Sequence, residues 1–197
     1  MADNDVTVAN MALTLLGQQS IADLDDETDH ARTMKRLYTM CLDAALRNHN
    51  WNFAQVRASL ARHSAAPTWE FSYQYVLPTD PYCLRVLETN LNDDEAWRIE
   101  TYKTGSEQSR VIVTDFSSIK ILYVARLTDP VLWDSLFADA MAWEMAFRAS
   151  YAITASPQVT ANLQKEKEVA WQRARSKDAQ ESRARKTILS ESFTSVR

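Results

Sequence analysis

The side chains that could carry chemistry are few and widely spaced. The chain has three histidines, His30, His49 and His63, and two cysteines, Cys41 and Cys83. None of the histidines stands near a cysteine at a spacing that binds zinc. A cysteine nucleophile would need a histidine base, and both cysteines lie in apolar stretches, where burial raises the pKa of a thiol and suppresses its reactivity. We therefore predict that both cysteines are packing residues and that the chain holds no metal.

Phosphate-binding glycine loops are excluded by the scarcity of glycine. Only Gly17 and Gly105 occur in the chain, so neither a Walker loop nor a dinucleotide-binding fingerprint can be written, and we expect no cofactor. No G-x-S-x-G element of a serine hydrolase is present either. Paired carboxylates could cleave a glycan, and the candidates in the middle of the chain are Glu70, Glu88, Glu100 and Glu107. Each of them is also typical of a solvated charge on a strand.

One acidic residue interrupts an apolar helical stripe. Glu144 stands between Met141 and Phe147, at the spacing of residues that face a core. A buried acid in this place is either a perturbed functional group, a partner for a second subunit or one half of a structural ion pair. We favour the structural ion pair.

The charge balance disfavours a protein that grips nucleic acid. The net charge is −4 and the isoelectric point is near 5.4, which leaves no positive field to neutralise phosphates. Acids crowd residues 23–29, where they suit the first turn of a helix. Basic residues gather between Lys165 and Lys186 but alternate with acids, which is typical of a solvated helical face. A DNA-binding regulator is disfavoured for the same reasons.

Hydrophobic periodicity predicts an α+β fold. Apolar residues recur at spacings of three and four in four segments, and the predicted helices span 5–17, 27–47, 130–153 and 157–185. Between the second and third helices, over about 53–125, apolar residues alternate, which predicts five or six antiparallel strands in one meandering sheet. The architecture is then a bundle of about four helices with an antiparallel sheet region inserted.

Start and stop signals flank the predicted helices. They are Asn4 or Asp5 and Gly17 for the first helix, Asp26 for the second, Asp129-Pro130 for the third and Ser156-Pro157 for the fourth. The apolar stripe of the last helix is narrow and stops near Arg175, so we expect the second half of that helix to leave the body.

The length of 197 residues suits a single domain with an appendage. We predict one domain over 1–186 and a C-terminal tail over 187–197, in which apolar residues are scattered without a helical face. No apolar run approaches the roughly 18 residues needed to cross a bilayer, and the first residues are acidic, so we expect no contact with a membrane and synthesis in a cytoplasm.

A series of short motifs runs in order through residues 5–175. It comprises Ala12-Leu13, Leu15-Leu16-Gly17, Ile21 with Leu24-Asp25-Asp26, Ala31 to Tyr38, Trp51-Asn52-Phe53-Ala54, Leu60-Ala61, Tyr75 with Leu77-Pro78 and Asp80, Leu84-Arg85-Val86, Tyr123-Val124, Trp133 with Phe137, and Tyr151 to Pro157. Each motif is common by itself, but their order and the Trp-Asn-Phe-Ala block are specific. Through them the chain resembles the podophage tail tubular protein A and head-to-tail adaptor (connector) family.

The resemblance implies a structural protein of the virion and not an enzyme. Members of this family form a ring, commonly a dodecamer, at the head-tail junction after assembly in the host cytoplasm. The ring binds the portal protein above it and a downstream nozzle or tail-tube protein below it. DNA passes through the lumen as cargo during ejection.

The resemblance also implies that the C-terminal segment reaches the portal. The residues of this chain that would make the contact are Arg183, Arg185, Lys186, Ile188, Leu189, Phe193 and Val196. The tail and the scarcity of loop glycine depart from the family pattern. Because some members have been associated with cell-wall cleavage, a virion-associated peptidoglycan hydrolase is the alternative function.

Overall fold

The computed structural model describes residues 4–92 and 94–181. These residues form four α-helices and two small antiparallel sheets, with 45% helix and 23% strand. The helices are α1 (Asn4–Leu15), α2 (Asp29–Asn48), α3 (Ser135–Thr154) and α4 (Pro157–Asp178), and two short 3-10 turns span Asn52–Ala54 and Pro130–Leu132. The predicted α+β class, with the strands between the second and third helices, is confirmed.

Two predicted helix caps are wrong because side chains nearer to the helices cap them. Thr28, and not Asp26, caps α2: its hydroxyl accepts a hydrogen bond from the N–H of Ala31 at 3.1 Å. Asp129 caps only the 3-10 turn at Pro130, and α3 begins after Asp134, whose carboxylate accepts two backbone N–H groups. Gly17 follows α1 with φ of +68°, as its predicted role at the end of the helix requires.

The last helix ends earlier than predicted and stays on the body to its end. α4 stops at Asp178 instead of residue 185, and residues 182–185 lie outside the described part of the chain. Its second half does not leave the body, because Trp171 and Ala174 are buried in the helical core and the side chain of Asp178 is 6% exposed. The sequence pattern missed this because Asp178 is polar.

The strands form two three-stranded sheets and not one meander. They are β1 (Gln55–Ser59), β2 (Tyr73–Val76), β3 (Cys83–Thr89), β4 (Trp97–Thr104), β5 (Glu107–Thr114) and β6 (Lys120–Ala125). The first sheet has the order β1-β6-β3 and the second has the order β2-β5-β4. Among the paired strands of the described chain, only β4 and β5 are consecutive in sequence. The order of the strands along the chain therefore does not predict the partners or the register of the other strands.

The chain after β1 connects the two sheets. The N–H of His63 donates to the carbonyl of Gln74, and the N–H of Val76 donates to the carbonyl of Ala61. One apolar cluster then lies between the sheets, with Ile121 and Tyr123 from the first and Tyr75 and Ile112 from the second. Alternation of side chains predicted the buried residues, whereas the division into two sheets depends on this long-range pairing.

The helices share a separate core built around α3. This helix is lined with buried alanines, which allow the other helices to approach closely, and they are Ala140, Ala142, Ala146 and Ala149. The first sheet joins the helical core through Leu84 and Val124. Arg126 and Asp43 form a two-bonded ion pair across the same junction, with Nε to Oδ1 at 2.6 Å.

The buried indole of Trp51 should be a major source of stability. Trp51 is 1% exposed, so its replacement by alanine should lower the free energy of unfolding by about 3–5 kcal/mol through lost burial and a residual cavity. Urea denaturation followed by far-ultraviolet circular dichroism measures this. The control variant is Tyr151→Ala, which removes an aromatic side chain that is 65% exposed and should change the free energy by less than about 0.5 kcal/mol. Equal effects in the two variants would contradict the assignment of the core.

Candidate functional site

The Trp-Asn-Phe-Ala block lies where α2, α4 and the first sheet meet. Trp51 packs its ring against Phe137 of α3 at 5.0 Å between ring centroids and against Trp171 of α4 at 5.9 Å. Its indole N–H donates to the carbonyl of Ala45 at 2.9 Å, so the buried ring leaves no polar atom unpaired. The block closes α2 and leads directly into β1, which makes it the joint between helices and sheet.

Asn52 fastens the end of α4 to this joint. The backbone N–H of Asn52 donates to Oδ1 of Asp178 at 2.8 Å, and its side-chain amide donates to the backbone carbonyl of Asp178 at 2.6 Å. Nε2 of His49 lies 3.0 Å from Oδ2 of the same carboxylate. An acid at the C-terminal end of a helix is unfavourable for the helix dipole, so these contacts are what hold Asp178 there. They fix the position of the last turn of α4.

The predicted portal-binding residues lie beyond this anchor. Arg183, Arg185, Lys186, Ile188, Leu189, Phe193 and Val196 all fall outside the described residues. The structure shows where α4 ends, with Asp178 next to His49 and Asn52. Sequence reasoning missed Asp178, because the predicted helix ran on to residue 185 and left this acid in the middle of a polar helical stretch.

Glu144 forms a structural ion pair inside the chain, as predicted. Its Oε1 accepts a hydrogen bond from Nε of Arg148 at 2.7 Å, and its Oε2 accepts one from the indole of Trp171 at 3.1 Å. Lys167 Nζ lies 3.7 Å from Oε2. Burial raises the pKa of Glu144, but the hydrogen bonds from Arg148 and Trp171 together with the charge of Lys167 outweigh it, so the pKa lies below its ordinary value.

This ion network borders a groove between α2, α3 and α4. The groove has a volume of ≈ 400 Å³, and Arg47 and Asn48 also line it. Cys41 lies at its wall with a fully buried side chain, and burial raises the pKa of its thiol to about 11. Burial likewise raises the pKa of Cys83. Both thiols are therefore held in the protonated form that packs as a small apolar group, and no histidine partner to either is found among the described contacts.

The four candidate carboxylates do not converge. Glu88 lies in the first sheet, whereas the other three lie in or beside the second sheet. Both oxygens of Glu70 bind the guanidinium of Arg98, at 2.6 and 2.9 Å, and Glu107 lies 3.3 Å from Nε2 of His63. Glu70 and Glu100 do line one pocket of ≈ 240 Å³, next to Trp69. The described residues contain no group of three or more His, Cys, Asp or Glu side chains that could hold a metal ion.

No protein-family model matches the chain, and no curated protein sequence matches it. Among the helices that the structure describes, none is both long and apolar enough to cross a membrane.

Replacement of Glu144 by glutamine should destabilise the fold in a pH-dependent way. The variant loses charge-assisted hydrogen bonds in a half-buried site, so its free energy of unfolding should fall by about 1–3 kcal/mol at pH 7. Because the pKa of Glu144 is lower in the folded state than in the unfolded chain, its stabilising effect is complete above the unfolded value of about 4.3 and is lost as the pH falls through the folded value.

The measurement is urea denaturation of both proteins between pH 7 and pH 3. The difference between them should shrink below about pH 4. Glu166→Gln on the exposed side of α4 serves as the control and should leave stability unchanged at every pH. A difference that stays constant down to pH 3 would contradict the ionised state of Glu144.

Proposed function

We propose that this chain is a structural head-to-tail adaptor of a tailed bacteriophage, a ring-forming subunit that joins the portal to the tail. The observation that carries the proposal is the anchor between Asn52 and Asp178. The Trp-Asn-Phe-Ala block is the most specific motif of the resemblance, and here it secures the last helix to the body. A tail that must reach a neighbouring protein benefits from a fixed starting point, because less freedom is lost on binding.

The two-part architecture is consistent with this function. A helical body with its own core carries the sheets, which have a separate core, and the two are joined by Leu84, Val124 and the pair Arg126–Asp43. In a ring the helical part would pack around the axis and the sheets would face neighbours or the tail. The acidic balance suits a lumen through which DNA slides as cargo without being held.

The partners that follow are a portal protein, a downstream nozzle or tail-tube protein, and further copies of the chain in a ring of about twelve. The site of action is the head-tail junction of the virion, reached by assembly in the host cytoplasm. The segment 187–197 would order on the portal, and its apolar side chains would be buried there. In this function the chain carries out no reaction.

Binding to portal rings tests the proposal directly. Purified protein mixed with the portal rings of the same phage and sedimented should bind saturably, at a number of copies that matches the portal symmetry. Absence of binding at high concentration would overturn the adaptor function.

In that case the alternative is the peptidoglycan hydrolase, for which the favourable observation is the pocket shared by Glu70 and Glu100. Release of soluble fragments from purified peptidoglycan, lost in Glu100→Gln, would then establish it.

Removal of residues 187–197 should abolish portal binding without unfolding the protein. The three apolar clusters of the described chain are built from residues between 6 and 174, so the melting temperature should stay within about 2 °C of the wild type. A sharper test uses two variants of this segment. The first replaces its apolar residues Ile188, Leu189, Phe193 and Val196 by serine. The second is the control and replaces Ser190, Ser192 and Ser195 by alanine. Only the first should lose binding in the sedimentation assay. Unchanged binding by the truncated protein would contradict a portal contact in this segment.

A further inference from the structure

An exposed tryptophan lies in a turn that is bound to the second sheet. Trp69 is 76% exposed and lies in the connection between β1 and β2. The N–H of Phe71 donates to the carbonyl of Trp69 at 2.9 Å, and Glu70 between them has a φ of +70°, a strained value for a residue with a side chain. The two hydrogen bonds from Arg98 of β4 to the carboxylate of Glu70 secure this turn to the sheet.

Strand register identifies the face on which Trp69 lies. Phe71 packs with Val111 and Val113, and Glu100 of β4 pairs with Val111 of β5, so all of these side chains occupy one side of the sheet. Trp69 lines a shallow pocket with Glu100 on that same side. We refer to this side as the tryptophan face.

The opposite face of the same sheet carries a pocket. Thr101 pairs with Arg110, one residue further along each strand, so their side chains point away from the tryptophan face. They help to line a pocket of ≈ 380 Å³, whose other walls include Leu77, Pro78, Tyr82 and Gln108. The guanidinium of Arg110 lies 5.7 Å from the centre of the Tyr82 ring. An open pocket walled by aromatic, aliphatic and guanidinium groups is suited to an indole ring.

The two faces are also complementary in charge. Glu100 is exposed on the tryptophan face, and Arg110 lines the pocket on the other. Within the described ranges neither residue takes part in an ion pair, although Arg110 donates hydrogen bonds to the carbonyl of Cys83 and the hydroxyl of Tyr82. A carboxylate on one face and a guanidinium on the other could therefore pair between two copies of the chain.

We propose that Trp69 of one copy inserts into the Pro78–Tyr82–Arg110 pocket of a second copy, with Glu100 of the first copy near Arg110 of the second. This deepens the proposed function and rests on it, since it names the contact between neighbouring subunits of the ring. Trp69 and the pocket lie on opposite faces of one sheet. Each copy therefore contacts one neighbour through Trp69 and the other neighbour through the pocket. Such a head-to-tail contact repeats from copy to copy and closes into a ring or extends into a filament.

Two variants, each blocking one half of the contact, test the proposal. Trp69→Ala removes the inserting side chain and leaves the pocket, whereas Gln108→Trp fills the pocket from an exposed strand position and leaves Trp69 in place. In analytical ultracentrifugation the wild type should assemble, and each variant alone should associate at least about thirtyfold more weakly, the effect of losing a hot-spot tryptophan. An equimolar mixture of the two should form one-to-one dimers and nothing larger. Tyr151→Ala, which removes another exposed aromatic side chain, should assemble as the wild type does.

Several outcomes would overturn the contact. They are a wild type that stays monomeric across the concentration range, a Trp69→Ala variant that assembles normally, and a mixture of folded variants that forms no dimers. Thr79→Trp fills the same pocket and replaces Gln108→Trp if that variant does not fold. The portal assay separates this inference from the proposed function: saturable portal binding with normal assembly of Trp69→Ala refutes the contact alone. Trp69-dependent assembly without portal binding refutes the adaptor function alone.

Discussion

The buried ring of Trp51 is the interaction on which the arrangement of the other parts depends. It follows α2 directly and precedes β1, and its ring contacts Phe137 of α3 and Trp171 of α4. The side chain of Trp51 therefore fixes the relative positions of three helices and the first strand of the sheet region. Aromatic rings at these distances and angles restrict how the elements can rotate against one another, because edge-to-face contacts are directional. A change in the packing of the helical core would therefore also displace the start of β1.

Polar contacts fix the positions of the helices relative to the sheets where the aromatic cluster does not determine them. Asp178 ties the end of α4 to Asn52, Arg47 donates to the carbonyl of Leu84, and Arg126 pairs with Asp43. These three contacts lie along the junction between helices and sheets. Half-buried hydrogen bonds of this kind contribute little net stability, but leaving one partner alone is costly, so they select one docking geometry. The two parts of the chain are held as one unit in spite of their separate cores.

The sequence predicted local features well and long-range ones poorly, for a physical reason. Helical periodicity and caps such as Ser156 act within a few residues, so α1, α2 and α4 begin close to where they were expected, and Glu144 paired as predicted. The division into two sheets depends on β1 meeting β6, more than 60 residues away, which no local pattern encodes. Asp178 was missed because a buried polar residue is recognised only when its distant partner is known. Trp69 alternates with Phe71, Tyr73 and Tyr75 as residues of one strand do, but the structure puts Trp69 in a bend before β2.

The sheet region forms tight turns with little glycine. Gly105, with φ of +58°, closes the hairpin between β4 and β5, but the turn at Trp69 uses Glu70 in a conformation that glycine adopts at lower cost. A glycine there would relieve the backbone and lose the carboxylate that binds Arg98. The strain is therefore offset by an ion pair that connects the turn to β4. A bulky residue displayed on a turn fixed in this way loses little entropy on binding, which is the property an anchor between protein subunits requires.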